Sequence, residues 1–327
     1  MGEFDLIARY FTRPVRRAAL GVGDDCALLA PAPGMQLAVS SDMLVEGRHF
    51  FADVDPEALG HKALAVNLSD LAACGARPLA FTLALALPRI DEPWLAGFAR
   101  GLLALADAHG CELIGGDTTA GPLNICITIF GEVPTGQALL RSGARAGEDI
   151  WVSGTVGDAR LALDALRGHG PATALPPALL AAARQRLERP TPRVALGLRL
   201  LGVASSALDV SDGLLGDLGH ILRASGVGAC IDLSETTDLI AASAFQESDS
   251  GLFCSDYLQQ CTLAGGDDYE LVFTAPPAHR PAVLAAARAS DTPVTRIGVV
   301  QSQAGLRLMD AEGRPVERRY ASFDHFA

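Results

Sequence analysis

Hydrophobic and polar positions in the first half of the chain follow two different periods. Alternation predicts strands at Met35–Ser40 and Asn124–Val133, and the apolar run Cys111–Ile114 predicts another strand. Helical spacing of the apolar residues predicts helices at Asp55–Cys74 and Asp91–Gly110, each beginning with an Asp and a nearby Pro. Strands and helices therefore alternate along this half of the chain.

The second half continues the same mixture of periods. Strand-like runs occupy Asp149–Val152, Ala229–Leu233, Leu271–Ala275, Thr295–Val300 and Leu306–Met309. Helical patterns begin at Asp158 and continue at Ala178–Arg189, Val194–Leu201, Leu214–Ser225 and Pro281–Ala289. The segment Gly168–Pro177 is rich in Gly, Pro and Ala, which predicts a linker or a surface loop.

A loop-like stretch, Pro134–Gly147, separates the two halves and marks the predicted domain boundary. A chain of 327 residues is also long enough for two domains. We therefore predict an α/β fold (α+β type) made of two mixed α/β domains, residues 1–147 and 148–327. Two short motifs of the first half have similar counterparts in the second: AVSSD resembles LDVSD, and LIGGD resembles LAGGD. They are too short to establish a duplication.

Composition narrows the classes of function. The formal net charge is -12, which disfavours a general affinity for nucleic-acid phosphates, so we expect no nucleic-acid partner. Lys62 is the only lysine and follows His61, whereas a Walker-A P-loop needs its lysine directly after glycine. A P-loop nucleotide site is therefore excluded. An acidic protein can still bind phosphorylated ligands when cations bridge the two.

Cysteine usage and the apolar runs predict a cytoplasmic enzyme. The seven cysteines are scattered, odd in number and never spaced as CxxC, which is typical of core residues in a reducing compartment. The first residues lack the basic and apolar regions of a signal peptide. Apolar stretches are interrupted before the roughly 18 residues that a membrane span requires, so we expect no membrane association.

The most informative feature is a set of aspartates that end apolar runs, each beside Gly or Ser. They occur at Asp24-Asp25, Asp42, Asp70, Asp117, Asp209, Asp212 and Asp267-Asp268. Any one of them alone is more often a turn or a helix cap. Several carboxylates that converge in strand-end loops repel one another and need cations, and an all-oxygen ligand set favours Mg²⁺ or Ca²⁺ over zinc.

Other catalytic patterns are weaker. The chain has no GxSxG elbow, no HExxH and no EF-hand loop, and its GxG at Gly21 lacks the third glycine of a dinucleotide fingerprint. His49 is a loop histidine that is more often simply solvated, and Arg141 could bind a phosphate or be an ordinary surface arginine. The aromatic segment near Phe323 could be a packed terminus or a lid, and sequence favours packing.

Taken in order, the motifs resemble those of the thiamine-monophosphate kinases, in the aminoimidazole-ribonucleotide-synthetase-like superfamily. The resemblance runs from GEFDLIARYF near the start to FDHF near the end. Between them lie GVGDDCALL, AVSSDMLVEGRHF, KALAVNLSDLAACGA, LIGGDTT, LLRSGA, LDVSDGL and GGDDYEL. Seven internal motifs in one order, spread over nearly the whole chain, are far more specific than any single motif.

The resemblance implies transfer of the γ-phosphoryl of ATP, the co-substrate, onto thiamine phosphate to form thiamine diphosphate. It implies the two-domain architecture of the superfamily and a homodimer paired through the N-terminal sheets. Most Mg-ATP motifs and the dimer interface would lie in residues 1–147, and residues 148–327 would complete the active-site cleft.

The resemblance also implies roles for individual residues. Several Mg²⁺ ions would be held by Asp25, Ser40, Ser41, Asp42, Asp70, Asp117, Asp209 and Asp212. ATP would contact Gly116, Asp117, Arg141 and Ser211. Thiamine phosphate would contact His49, Asp267 and Phe323.

Three positions depart from the commoner family pattern. Ser41 stands where threonine is frequent, and Asp267 where many relatives have the longer glutamate. His109 lies near where relatives often place a tyrosine against the nucleotide, so that contact is not assigned here.

The acceptor in this reaction is itself a phosphate with a second pKa near 6, largely ionised at neutral pH. We therefore assign no residue as a covalent nucleophile or general base. Selenophosphate synthetases are excluded because the first 25 residues contain neither Cys nor Lys. Another ATP-dependent enzyme of the superfamily with a different acceptor, or a non-catalytic Mg-nucleotide-binding module, stays open.

Overall fold

The computed structural model describes residues 2–240, 253, 255–318 and 320. The chain divides into two compact units. The N-terminal unit comprises Met1–Leu71 and Ala76–Ala138, and the C-terminal unit comprises Ala72–Gly75 and Leu139–Ala327. Each unit combines helices with one sheet, which confirms the predicted mixed α/β fold class.

The sheet of the N-terminal unit is built around two central strands. Its helices are α1 (Glu3–Tyr10), α2 (Pro56–Ala73) and α3 (Glu92–His109), and its strands are β1 (Met35–Val45), β2 (Arg77–Leu87), β3 (Glu112–Ala120) and β4 (Asn124–Pro134). The strand order is β1-β4-β2-β3. Strand β4 is antiparallel to both β1 and β2, and β3 is parallel to β2. Strands β1 and β3 therefore lie at opposite edges of this sheet.

Close helix packing in the N-terminal unit depends on glycine. A Cβ atom at Gly60 of α2 would lie 2.0 Å from the carbonyl oxygen of Phe98, and one at Gly101 of α3 would lie 1.9 Å from that of Glu57. The two helices thus touch backbone to backbone, which only residues without a Cβ permit. This contact fixes α2, the helix that carries Asp70.

The C-terminal unit contains a larger sheet. Its strands are β5 (Asp149–Ser153), β6 (Ser206–Asp209), β7 (Gly228–Asp232), β8 (Leu271–Ala275), β9 (Val294–Gln301) and β10 (Gly305–Met309). Its helices are α4 (Asp158–Leu166), α5 (Pro177–Glu188), α6 (Val194–Leu200), α7 (Leu214–Ser225), α8 (Leu233–Thr236), α9 (Ser255–Ala264) and α10 (Arg280–Ala289). The strand order is β10-β7-β9-β5-β8-β6, with β10 parallel to β7 and the other pairs antiparallel.

Helix α7 presents its apolar side to the core of the C-terminal unit. Leu214, Leu218 and Ile221 are buried in the same hydrophobic cluster as Val272 of β8. Their spacing of three and four residues is that of one helical face. The start of α7 is therefore held beside the last residue of β6 and the first residue of β8, and two of the aspartate motifs lie at these two strand ends. Among the described residues, no helix is both long and apolar enough to cross a membrane.

Most predicted elements are present, with strands β1 and β3 extending beyond their predicted ends. Strand β2 was missed because its sequence, RPLAFTLALAL, is apolar on both faces and rich in Ala and Leu, so it lacks alternation. Helices α1 and α9, the short helix α8 and the four-residue strand β6 were also missed. Part of the predicted Gly168–Pro177 loop forms a short 3-10 helix at Gly170–Ala174.

Candidate functional site

Three of the predicted metal ligands meet in the N-terminal unit. Ser40 and Asp42 are two residues apart on β1, so their side chains share one face of the strand. Asp70, near the end of α2, packs against that face. The Ser40 hydroxyl donates a hydrogen bond to Asp70 Oδ2, and the side chains of Asp42 and Asp70 are hydrogen-bonded to each other. The structure thus brings together a strand and a helix that are far apart in sequence.

The Asp42–Asp70 pair is electrostatically unfavourable on its own. Burial, the negative charge of Asp70 and the hydrogen bond between the two acids raise the pKa of Asp42 to about 7. A bound cation would remove this repulsion. Two carboxylates and a hydroxyl form a hard, all-oxygen donor set, which fits Mg²⁺ with water or phosphate oxygens completing its coordination.

The other predicted acidic ligands of the N-terminal unit do not join this pair. Asp25 lies in an exposed loop between the bridged residues Leu20 and Leu28, and its backbone N–H donates to Asp24 Oδ1 at 2.9 Å. Asp117 is exposed on β3, three strand spacings from β1, or about 14 Å across the sheet. Within the residues described, no set of three or more His, Cys, Asp or Glu side chains is placed to hold a metal ion.

Gly116 has a structural reason to be glycine. Its φ is 152°, and a Cβ atom there would lie 1.9 Å from the carbonyl oxygen of Leu83 on β2. The β2–β3 register also shifts between Phe81 and Thr82, so β3 approaches β2 unusually closely at this point. The close approach requires glycine whether or not a nucleotide lies against it.

Ser41 occupies the opposite face of β1. Its Oγ lies 3.0 Å from Thr128 Oγ1 and donates to the carbonyl oxygen of Ile127 at 3.2 Å. The same face carries exposed apolar side chains at Leu37, Val39 and Met43. Ser41 thus lies on an apolar surface of an edge strand, away from the side chains of Ser40 and Asp42.

His49 is held in a tight turn after β1. The ring Nδ1 of His49 accepts a hydrogen bond from the backbone N–H of Val45 at 3.0 Å, and the backbone N–H of His49 donates to the Val45 carbonyl oxygen at 3.0 Å. Because Nδ1 is an acceptor, the proton of the neutral ring is assigned to Nε2. The ring is half-buried, and its orientation is set by the backbone.

In the C-terminal unit, one loop carries Asp209, Ser211 and Asp212 from the end of β6 to the start of α7. The backbone N–H groups of Ser211, Asp212 and Gly213 all donate to Oδ2 of Asp217, at 2.9, 3.0 and 3.1 Å. Burial raises the pKa of Asp217 to about 6, helped by the charge of Asp212 and opposed by these hydrogen bonds. The N–H groups ahead of α7 are therefore already occupied by a carboxylate of the protein.

A second loop, Gly265–Glu270, is strained and lies beside the first. Asp267 and Tyr269 have φ angles of 62° and 54°, a left-handed conformation that residues with side chains adopt at a cost. The Asp267 N–H donates to the Ser211 carbonyl at 2.8 Å, and the Tyr269 N–H to that of Val210 at 2.8 Å. Residues predicted to contact ATP and thiamine phosphate are thus carried by two loops that are hydrogen-bonded to each other.

Two buried acids anchor the strained loop from beneath. Both Asp268 oxygens accept the Gly157 N–H at 2.9 Å, and burial raises the pKa of Asp268 well above its usual range. Glu270 is fully buried and accepts hydrogen bonds from Ser153 and from the guanidinium groups of Arg186 and Arg193 at 2.6 to 2.8 Å. These contacts offset the cost of the left-handed conformations at Asp267 and Tyr269.

Arg141 is exposed on the loop before β5. Its carbonyl oxygen accepts from the Ser225 hydroxyl at 3.3 Å, which ties this loop to the end of α7. Burial and the charges of Arg223 and Arg141 lower the pKa of His220, and Asp212 opposes them. Arg141 and Asp212 therefore both act electrostatically on the same histidine of α7. Phe323, a predicted substrate contact, lies outside the described residues.

Comparisons with known proteins agree with this picture. The family model for the N-terminal domain of AIR synthase related proteins matches residues 23–133, and that for the C-terminal domain matches residues 145–311. A thiamine-monophosphate kinase of Salmonella typhimurium is 46% identical over 100% of this chain and 98% of its own length. This chain belongs to the thiamine-monophosphate kinase family.

Solved structures of the family share the fold. A crystal structure of thiamine-monophosphate kinase from Stenotrophomonas maltophilia K279a superposes with a TM-score of 0.82, at 46% identity and 96% coverage of both chains. A structure described as AaThiL complexed with AMPPCP and TMP superposes with a TM-score of 0.75, at 30% identity over 91% of this chain and 89% of that one. The resemblance inferred from the ordered motifs is thereby confirmed.

Sequence reasoning missed the residues that support the family motifs in the C-terminal unit. Asp217 falls in the first turn of a predicted helix, where an acidic residue is ordinary. Arg186 and Arg193 are distant in sequence from Glu270, so nothing local pairs them. The one available signal was the doubled acid Asp267-Asp268 followed by Glu270, since successive residues of an extended segment face opposite sides, and Asp268 and Glu270, two apart, share the inner one.

Proposed function

We propose that this chain transfers the γ-phosphoryl group of ATP directly to thiamine phosphate, forming thiamine diphosphate. The observation that carries the proposal is the half-buried Asp42–Asp70 pair with Ser40, which lies at motif positions of a kinase family and has the chemistry of a magnesium site. A family member has been solved with AMPPCP and TMP bound, which supports the choice of donor and acceptor.

Several Mg²⁺ ions would be held by oxygen ligands, which we assign in each unit separately. In the N-terminal unit we assign Asp25, Ser40, Asp42, Asp70 and Asp117, with Ser41 acting through its backbone carbonyl because its hydroxyl lies on the opposite face of β1, and in the C-terminal unit Asp209 and Asp212. Bound Mg²⁺ supplies charge neutralisation between a polyanionic nucleotide and an anionic acceptor. The shared position of Ser40, Asp42 and Asp70 supports this assignment most strongly.

The remaining assignments concern the two substrates. We assign ATP contacts to Gly116, Asp117, Arg141 and Ser211, and thiamine phosphate contacts to His49, Asp267 and Phe323. His49 is supported by its fixed ring orientation, and Asp267 by its strained position next to Ser211. No residue acts as a covalent nucleophile or general base, because the acceptor phosphate is already ionised at neutral pH.

We further propose a homodimer that pairs through the N-terminal unit. Strand β1 is an edge strand, and Leu37, Val39 and Met43 on one of its faces are 41%, 57% and 54% exposed. An apolar face on an edge strand is prone to pair with another chain. Residues 1–147 would thus supply the dimer interface and most Mg-ATP motifs, and residues 148–327 the rest. We place the enzyme in the cytoplasm, in keeping with the free thiols among the described cysteines.

The test is product formation by the purified protein with ATP and thiamine phosphate, first with Mg²⁺ and then with excess chelator. We expect thiamine diphosphate only with metal, and none when thiamine replaces thiamine phosphate. Binding of Mg-AMPPCP without any thiamine diphosphate would overturn the proposal in favour of another acceptor or a non-catalytic module. Labelled protein after incubation with γ-labelled ATP would overturn direct transfer.

A further inference from the structure

A single carboxylate oxygen organises the loop between β6 and α7. Oδ2 of Asp217 accepts the backbone N–H groups of Ser211, Asp212 and Gly213, at 2.9, 3.0 and 3.1 Å. An ordinary capping side chain precedes its helix and accepts N–H groups of the first turn. Asp217 instead belongs to α7 and reaches back to N–H groups that precede it. Its own N–H meanwhile donates to the Gly213 carbonyl at 3.0 Å.

We propose that Asp217 is a positioning residue that sets the backbone of Ser211–Gly213 for binding of the magnesium–nucleotide complex. The proposal rests on the function proposed above, which assigns the Ser211 and Asp212 side chains to ATP and Mg²⁺. In this proposal Asp217 acts through the backbone that carries those side chains.

Burial makes the contribution of Asp217 hard to replace. Asp217 is 4% exposed and Gly213 is buried, while Ser211 and Asp212 are half-buried, so water has little access to the acceptor oxygen that the three donors share. A buried N–H group that loses its acceptor costs free energy, and here three donors share one acceptor oxygen. Without Asp217, the loop is expected to rearrange until its N–H groups find other partners.

The adjacent loop leaves the Ser211–Gly213 segment little room to compensate. A Cβ atom at Gly213, where φ is 126°, would lie 2.9 Å from backbone atoms of Ala264, and one at Gly266 would lie 2.6 Å from the Ser211 carbonyl oxygen. The Ser211 carbonyl also accepts the Asp267 N–H at 2.8 Å. Movement of the Asp217-bound loop therefore displaces Asp267, the predicted thiamine phosphate contact, as well.

The experiment compares Asp217→Asn and Asp217→Ala with Asp149→Asn. Asp149 is also buried, and its carboxylate forms an ion pair with Arg280 at 2.6 and 2.8 Å. In the sheet it lies opposite the last residue of β8, whereas the loop Gly265–Glu270 leads into the first residue of that strand. The control therefore removes a buried carboxylate that lies at the opposite end of β8 from the loop Gly265–Glu270. Hydrogen exchange at the amides of residues 211–213, Mg-AMPPCP affinity, and kcat and KM for ATP are measured on all three variants and the wild type.

We expect both Asp217 variants to lose protection at the three amides and to weaken Mg-AMPPCP binding and raise KM for ATP by about 10- to 100-fold, the usual cost of losing a residue that orients a ligand-binding group. Asp149→Asn should lower the melting temperature while leaving the amides and KM unchanged. Asp217→Asn keeps the shape of the side chain, so the proposal can still be tested if the Asp217→Ala variant fails to fold.

Unchanged protection at residues 211–213 in Asp217→Asn, or Mg-AMPPCP affinity within twofold of the wild type, would overturn the positioning role. An equal affinity loss in Asp149→Asn would overturn it too, because the effect would then be one of general stability. Failure of the wild type to form thiamine diphosphate would instead refute the proposed function. The hydrogen-exchange and Mg-AMPPCP affinity measurements would still test the positioning role of Asp217.

Discussion

The two units place acidic side chains in opposite electrostatic environments. In the N-terminal unit, Asp42 and Asp70 lie side by side, and burial together with the negative charge of Asp70 raises the pKa of Asp42 to about 7. In the C-terminal unit, Glu270 is clamped by Arg186 and Arg193, and Asp217 by backbone N–H groups. The first two acids repel each other, whereas the acids of the second set are held by cationic side chains and backbone donors of the protein.

This contrast distinguishes acidic side chains suited to bind a cation from acidic side chains that stabilise the fold around them. Two carboxylates that repel each other cost free energy in the unliganded protein, and acids with such raised pKa values cluster at functional sites. A compensated acid stabilises the position of its neighbours and leaves little capacity for a ligand. Removing a charge should therefore have opposite effects on stability in the two units, and this difference can be measured.

The largest expected effect is on activity. Asp42→Asn should reduce thiamine diphosphate formation by about a thousandfold or more, since it removes an assigned magnesium ligand from the transfer reaction. Asp149→Asn, the matched loss of a buried but ion-paired carboxylate, should retain most of the activity. Steady-state rates at saturating Mg²⁺ check this. Similar activity in the two variants would contradict the assignment.

Loss of charge at Glu270 should act on stability. Glu270→Gln leaves two largely buried guanidinium groups without their acid and should lower the free energy of unfolding by about 3–5 kcal/mol. Glu312→Gln is the matched control, because its ion pair with Arg314 is exposed, at 64% and 71%, and should contribute less than about 1 kcal/mol. Urea unfolding measures both, and equal effects would remove the distinction between the two kinds of acid.

Gly116 tests whether a predicted nucleotide contact is structural. Gly116→Ala places a Cβ atom against the Leu83 carbonyl and should destabilise the protein by about 1–3 kcal/mol. At Gly115 a Cβ atom would lie 3.7 Å from Thr82 Cγ2, an ordinary contact, so Gly115→Ala serves as the control. Thermal unfolding compares them. A Gly116→Ala variant with wild-type stability and a raised KM for ATP would point to a binding role alone.

The smallest effect concerns a pair of histidines in the N-terminal unit. Burial and the charge of His61 lower the pKa of His109 below its usual 6.5. Below pH 6.5 the unfolded chain therefore binds more protons than the folded one, and stability should fall as the pH falls toward the lowered pKa. His109→Gln should flatten this part of the stability profile, and His61→Gln should flatten it partly. An unchanged slope in His109→Gln would refute the effect.

The sequence predicted the fold class and most helices and strands because alternation and helical spacing are local signals. Strand β2 was not predicted because it is buried on both faces, and β6 was not predicted because its four residues are too few to show alternation. At the site, the ordered motifs identified the family, and Ser40, Asp42 and Asp70 do meet. The roles of Asp217, Arg186 and Arg193 depend on contacts between distant segments, which no local pattern contains.

The most direct test of the account is the stability of the wild type and Asp42→Asn with Mg²⁺ and with chelator, at pH 8, where Asp42 is ionised. With chelator, the variant should be at least as stable as the wild type, because the repulsion with Asp70 is gone. Mg²⁺ at about a hundred times its Kd should stabilise the wild type by about 2.7 kcal/mol and the variant far less. A variant that is less stable in chelator, yet gains the full stabilisation from Mg²⁺, would contradict the account.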